Sequence, residues 1–305
     1  MSEQSPDLVA RAAARLRQSA VAPAPASPPR PTAPPSAASE PATALPVRPF
    51  QADYQSKLIK VDRVALARSG VSMASSSRTR TSEEFRIIKR QVVLNARPNS
   101  NGQAGHRSGR VIMVTSTKPE EGKTFTAVNL ALSLASEQDI RVLLVDVDIH
   151  RKSLTKMFGT SDEIGWVDLL SNSTVEFSQA LLRTDIPNLS LLTAGRAEEE
   201  LPELLSSKRT AALLSEMAER YSDRFIVFDA PPCLASSEPS ILANLVGQTI
   251  FVVEAHKTER EEIDAALRLI SGCKNISLLL NKADTRNLEE FGSYSTYYAP
   301  AGRPN

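Results

Sequence analysis

Little in this chain of 305 residues can hold a soft metal or a disulfide framework. Cys233 and Cys273 are its only cysteines, each beside an apolar run that reads as a buried strand, and His106, His150 and His256 are scattered without metal-ligand spacing. No apolar run approaches the roughly 18 residues a membrane helix needs, and no charged-then-apolar leader opens the chain, so a soluble, cytoplasmic protein is expected. Charge of either sign is also missing in excess: the net value is +1, which argues against dependence on a nucleic-acid or membrane field. One local imbalance stands out, from Arg63 to Arg110, where basic residues outnumber acids. That strip suits either an acidic or membrane-proximal partner or a solvated linker.

What is present divides the chain. Residues 7–18 set Leu8, Val9, Ala12 and Leu16 against Arg11, Arg15 and Arg17, a short amphipathic helix within a first segment of residues 1–20. Residues 21–50 hold ten of the twenty prolines among Ala and Ser, a composition that cannot build a core; an unstructured linker is expected over 21–80. Thr81 or Ser82 then reads as the N-cap of a helix through Leu94 whose Phe85, Ile88, Val92 and Leu94 make an apolar face.

From Arg110 onward, apolar runs at 110–115, 141–146, 189–193, 224–229, 249–254 and 276–281 alternate with helical patterns at 123–137, 164–171, 203–221, 238–246 and 259–271. Runs without polar alternation are strands covered on both faces. The pattern predicts an α/β, three-layer domain over 81–286, with a mostly parallel sheet, helices on both sides and ligands at the carboxyl ends of the strands. A flexible, tyrosine-containing tail is expected over 287–305.

The strand Val111–Val114 feeds a loop that ends in Gly122-Lys123-Thr124, where Val128, Ala131, Leu132 and Ala135 begin a helical spacing. This reads as a phosphate cradle: helix N–H groups and a lysine meet the anion, and the threonine hydroxyl can ligate magnesium. The strict G-x-x-x-x-G-K-[ST] pattern fails at its first place, held by Thr117. A nucleotide site also needs carboxylates for the metal's water shell. Asp146 and Asp148 stand just beyond one apolar strand, and Asp229, followed by Ala-Pro-Pro, ends another. Singly, each also fits a cap or turn aspartate.

Taken together, Gly122-Lys123-Thr124, Asp146-x-Asp148-x-x-Arg151 and Asp229-x-Pro-Pro232 resemble the Walker A, A′ and B motifs of the bacterial tyrosine kinases, P-loop enzymes related by fold to the partitioning ATPases. The likeness covers about residues 81–298; Phe85-Arg-Ile-Ile-Lys-Arg and the long N-terminal region look most similar to the autokinases encoded beside exosortase and exopolysaccharide genes. The resemblance implies ATP and Mg2+ as cofactors, with Thr117, Lys118, Pro119, Glu120, Glu121, Gly122, Lys123, Thr124 and Phe125 about the phosphates. It implies catalytic roles for Lys123, Asp146 and Asp148, and metal contacts from Thr124, Asp146 and Asp229. Arg151 would face phosphate or pair with an acid. Lys118 holds the place of the partitioning ATPases' signature lysine, but Pro119 and Glu120 replace the glycines after it, so a trans-acting and an idle lysine both fit.

Only five tyrosines occur, and Tyr294, Tyr297 and Tyr298 crowd the last twelve residues; in the resembled kinases such a cluster is autophosphorylated. Glu83-x-x-Arg86-x-x-Lys89 is similar to the family's oligomerisation motif with lysine in its last place, and equally fits intrahelical pairing. The implied partners are further copies of the chain, in a homo-oligomer, and a membrane-embedded polysaccharide chain-length protein that recruits it to the inner membrane face; no nucleic acid is implied. Asn281-Lys282-Ala283-Asp284 matches the guanine-selective N-K-x-D of GTPases, yet Asp229-Ala-Pro-Pro is not a GTPase turn. By resemblance Asn281 is assigned to adenine. A partitioning-type ATPase switch without kinase activity is the alternative reading, with a GTPase behind it.

Overall fold

The computed structural model describes residues 56–72, 79–96, 109–160, 163–195, 201–220 and 224–283, all within a unit running from Gln51 to Asn305. The expected helix at 7–18, the proline-rich stretch and the tyrosine tail lie outside the described residues. In chain order the elements are β1 (Leu58–Ile59), α1 (Arg63–Arg68), α2 (Arg80–Asn95), β2 (Val111–Ser116), α3 (Lys123–Ala135), β3 (Arg141–Asp146), α4 (Ser153–Phe158), α5 (Trp166–Ser171) and α6 (Phe177–Ala180). They continue with β4 (Leu182–Thr184), β5 (Leu189–Leu192), α7 (Leu201–Ser206), α8 (Lys208–Arg220), β6 (Arg224–Asp229), α9 (Glu238–Leu242), β7 (Gln248–Glu254), α10 (Arg260–Leu269) and β8 (Ile276–Asn281).

The strands form one sheet ordered β1-β4-β5-β3-β6-β2-β7-β8, parallel throughout except for the antiparallel β4–β5 pair. Strands β2 and β6 are buried at every position, and period 2 sends alternate side chains to opposite faces. Val111, Met113, Leu143, Val145, Ile226 and Phe228 enter one core, where Trp166 meets Phe228 edge-on at 5.5 Å. Ile112, Val114, Val142, Leu144, Phe225 and Val227 enter the other. Helix α3 lies in that second core with Ala127, Val128, Leu130, Ala131 and Leu134 buried, and α2 covers it through an edge contact of Phe85 with Phe125 at 5.9 Å.

The chain leaves β2, passes over the place of β6 to reach β3, and returns to fill the gap only later. The carboxyl ends of β2, β6 and β3 therefore lie side by side, where open α/β sheets place their ligands.

Two expectations need correction. The linker does not extend to residue 80: Val61, Leu66 and Val71 are buried, α1 is capped by the Asp62 side chain at Val64 and Ala65, and β1 pairs with β4. Those apolar residues are too widely spaced to give a helical or strand period, and the segment's hydrogen-bond partners are distant in sequence, Asn129 for Ser72 and Asp185 for Val61. Helix α2 is capped by Thr79, not Thr81 or Ser82; Ser82 is the reciprocal partner, its N–H donating to Thr79 Oγ1 and its Oγ accepting from the Thr79 N–H. Leu94, assigned to the apolar face, is exposed.

If the 56–72 segment is part of the fold, Leu66→Ala, at a fully buried position, should cost about 2–5 kcal/mol. A urea midpoint equal to the wild type's would show that the segment does not pack.

Candidate active site

The site begins with the loop between β2 and α3. Its shape comes from side chains within it. Ser116 Oγ donates to the Lys118 carbonyl at 2.8 Å, and the Lys118 N–H donates to Glu121 Oε2 at 2.7 Å. Glu121 Oε1 accepts from the Thr258 hydroxyl, so this buried carboxylate organises the loop. Glu120 (φ 71°) and Gly122 (φ 102°) are left-handed, whereas Thr117 is not among the residues of positive φ. That explains how a β-branched residue occupies the consensus glycine position. Helix α3 has no side-chain N-cap, so its first N–H groups are left for an anion.

Three acids converge beside it. Asp146 and Asp229 are register partners on adjacent β3 and β6, and Asp229 is in turn level with Val114 of β2. Asp146 is fully held: Oδ2 accepts from the Thr155 N–H at 3.1 Å and hydroxyl at 3.0 Å, and Oδ1 from the Asp148 N–H at 3.2 Å. Asp148 Oδ1 caps the Arg151 N–H at 3.1 Å, and its Oδ2 pairs with Lys123 Nζ at 2.7 Å. Both groups of that ion pair are buried.

Asp229 differs. It is completely buried, yet neither carboxylate oxygen has a hydrogen-bond partner. Burial pushes its pKa up to about 7, against the pull of the Lys123 charge and the nearby Thr124 hydroxyl. Burial likewise raises Asp146 to about 6, against the bonds from Thr155.

An orphaned carboxylate beside a threonine hydroxyl fits a hard cation that keeps water and phosphate among its ligands, as Mg2+ does. Among the described residues no group of three His, Cys, Asp or Glu encloses an ion alone. Such an ion would take its remaining ligands from phosphate and water.

Other assigned residues lie elsewhere. Lys118 Nζ pairs with Glu262 of α10 at 2.7 Å, within its own chain. Glu120 extends outward to Arg151 at 3.6 Å. The Phe125 ring turns toward Phe85 and the core rather than toward the phosphate loop. Asn281 donates to the Glu121 carbonyl. Glu83 pairs with Arg86 at 2.8 Å along α2, and Lys89 with Glu137. Thr155, bonded to Asp146, and Thr258, bonded to Glu121, were missed, because neither belongs to a recognisable motif. Lys282, bonded to the phosphate loop, was seen only as part of the N-K-x-D pattern and was given no role of its own.

Adjacent strand ends, an uncapped helix N-terminus and a lysine among acids define a P-loop nucleotide-binding domain, and residues 109–275 match the family model for the AAA domain. The tyrosine-protein kinase YwqD of Bacillus subtilis is 30% identical over 241 residues, 78% of this chain and 96% of that protein. The tyrosine-protein kinase ptk of Acinetobacter johnsonii is 31% identical over 56% of this chain, which there spans only 23% of the relative's length. Among solved structures, the kinase domain of VpsO is 31% identical, with a TM-score of 0.52 over 66% of this chain and 98% of that one. The chain belongs to the bacterial tyrosine-kinase family and is a protein-tyrosine kinase by class.

The raised pKa of Asp229 has a stability consequence in the metal-free protein. An unfolded Asp titrates near 3.8, this one at about 7. Between those values the folded chain holds a proton that the unfolded chain has released, so this group's contribution to stability falls as pH rises. Asp229→Asn should therefore gain stability over the wild type progressively from about pH 4 to about pH 7 in urea titrations. A pH-independent difference would show that Asp229 ionises as easily folded as unfolded.

Proposed function

We propose that this kinase moves the terminal phosphoryl group of ATP, with Mg2+, to tyrosine hydroxyls of a second copy of the chain, at Tyr294, Tyr297 and Tyr298. The observation that carries the reading is the register pairing of Asp146 with Asp229 beside the uncapped start of α3. In the transfer the bond from the γ-phosphorus to the ADP oxygen breaks, a bond to the tyrosine oxygen forms, and the phenolic proton leaves. Asp146 is the proton acceptor of this scheme. Thr155 and the Asp148 N–H fix its orientation, and burial brings its pKa toward neutrality, where a base works best.

Lys123 leaves Asp148 for the β and γ phosphates, exchanging one anion for another. The uncapped N–H groups of α3 bind the same oxygens. Mg2+ supplies charge neutralisation across those phosphates, with the Thr124 hydroxyl and the carboxylates of Asp146 and Asp229 suited to hold it and its water. Phosphates accumulating on neighbouring tyrosines add negative charge that weakens docking of the tail at an acidic site, which favours release.

Family membership supports a wider setting: control of exopolysaccharide assembly with a membrane-embedded chain-length protein, which recruits a cytoplasmic kinase to the membrane. The Glu83, Arg86 and Lys89 side chains, exposed or partly so on α2, would exchange their internal partners for those of a neighbouring subunit.

Purified protein incubated with ATP and Mg2+ should carry phosphate on Tyr294, Tyr297 or Tyr298 by mass spectrometry. Lys123→Met should reduce that signal by about a hundredfold or more, as expected when a charge that stabilises the transition state is removed. Equal phosphotyrosine in both proteins, or none in either, would leave an ATPase switch as the better reading.

A further inference from the structure

The carboxyl end of β8 grips the phosphate loop from the side opposite the acids. Asn281 Nδ2 donates to the Glu121 carbonyl and Lys282 Nζ to the Glu120 carbonyl, both at 2.8 Å. The grip is itself anchored. Asn281 is level with Glu254 of β7, its carbonyl accepts the Ala255 N–H at 2.9 Å, and Glu254 holds Lys282 Nζ at 3.1 Å. Gly122 takes part by being small, since a Cβ there would stand 2.0 Å from the Asn281 amide nitrogen.

These contacts act on peptide units whose orientation matters. A planar trans peptide points its C=O and the following N–H in opposite directions. Drawing the carbonyls of Glu120 and Glu121 toward β8 turns the N–H groups of Glu121 and Gly122 away from it. Glu120 also sits at φ 71°, which costs a non-glycine residue free energy unless its surroundings hold it there, and the Lys282 ammonium supplies that hold.

We infer that Asn281 and Lys282 are positioning residues for phosphate binding: they set the amide groups of the phosphate loop rather than recognising the base. This rests on the nucleotide-binding reading above and specifies which part of the nucleotide the β8 end serves. The N-K pair, which as a sequence motif suggests base selection, serves the triphosphate through the loop's backbone. Affinity then depends on the pair equally for any ligand that carries the phosphates, with or without a base.

The test compares MgATP, MgGTP, MgADP and base-free magnesium tripolyphosphate by calorimetry on the full chain, wild type against Asn281→Ala and Lys282→Met. Each variant is expected to weaken all four ligands by a similar factor, about tenfold, with the binding stoichiometry unchanged. Lys282→Arg, which keeps a cationic donor, should recover most of the loss. Where Asn281→Ala does not fold, Asn281→Leu keeps most of the volume and removes the donor without adding charge, and should show the same loss. If Asn281 variants bind tripolyphosphate as the wild type does and lose only the preference between ATP and GTP, Asn281 is a base contact and the inference falls. Variants that bind every ligand with wild-type affinity also overturn it. A wild type that binds none of the four ligands instead removes the nucleotide reading on which the inference stands.

Discussion

The carboxyl end of the central sheet gathers three buried acids beside a single buried lysine, Lys123, among the described residues. The acids are Asp146, Asp148 and Asp229, and the lysine is committed to Asp148. Moving ionised groups out of water is expensive unless each is paired and hydrogen-bonded. Asp146 is hydrogen-bonded by Thr155, whereas neither oxygen of Asp229 accepts a hydrogen bond. Burial instead lets Asp229 keep a proton up to about pH 7, and in the proposed function a hard cation beside phosphate would take that proton's place.

Topology is what makes the cluster possible. Neighbouring strands of a sheet lie about 4.8 Å apart, so two aspartates at the same level of adjacent parallel strands cannot avoid one another. The chain reaches that arrangement by inserting β6 between β2 and β3 after both are built. Apolar side chains of β6 fill both cores, with Phe228 on one face and Phe225 and Val227 on the other. The register that brings Asp229 level with Asp146 is thereby fixed by hydrophobic packing, because a one-residue slip would reverse every side chain of the strand. Core burial sustains the acidic cluster.

Much of this was legible in the residues. The six strands read from Val111 onward and their parallel character follow from uninterrupted Val, Ile, Leu and Phe runs, which occur where both faces are covered; β8 departs from that expectation, since its Leu278 and Leu280 are exposed on one face. The strand order does not follow, because nothing local in Arg224–Asp229 says that it lies between Val111–Ser116 and Arg141–Asp146. Strands β1 and β4, of two and three residues, are too short for a period to emerge. At the site, residues that carry a motif were visible and residues that serve one were not. Thr155 lies nine positions beyond Asp146, and Thr258 lies 137 beyond Glu121. Asn281 was visible but ambiguous, since the same dipeptide can face a base or a backbone carbonyl.

The phosphate loop is asymmetric in consequence. One flank is fixed by short-range polar contacts: Glu121 to Lys118 and Thr258, Lys118 to Glu262, Asn281 and Lys282 to the carbonyls of residues 120 and 121. The other flank offers an ion pair that can exchange and a carboxylate without partners. Transfer chemistry needs that division. Backbone donors that are already oriented cost no reorganisation when charge shifts along the phosphates, whereas in the proposed transfer Lys123 would exchange Asp148 for phosphate. In a loop that lacks the consensus glycine and carries Pro119 and Glu120, glycine's conformational freedom is replaced by side-chain bonds, and rigidity depends on residues outside the motif. Variation at β8 or α10 therefore reaches the phosphate site without touching any Walker residue.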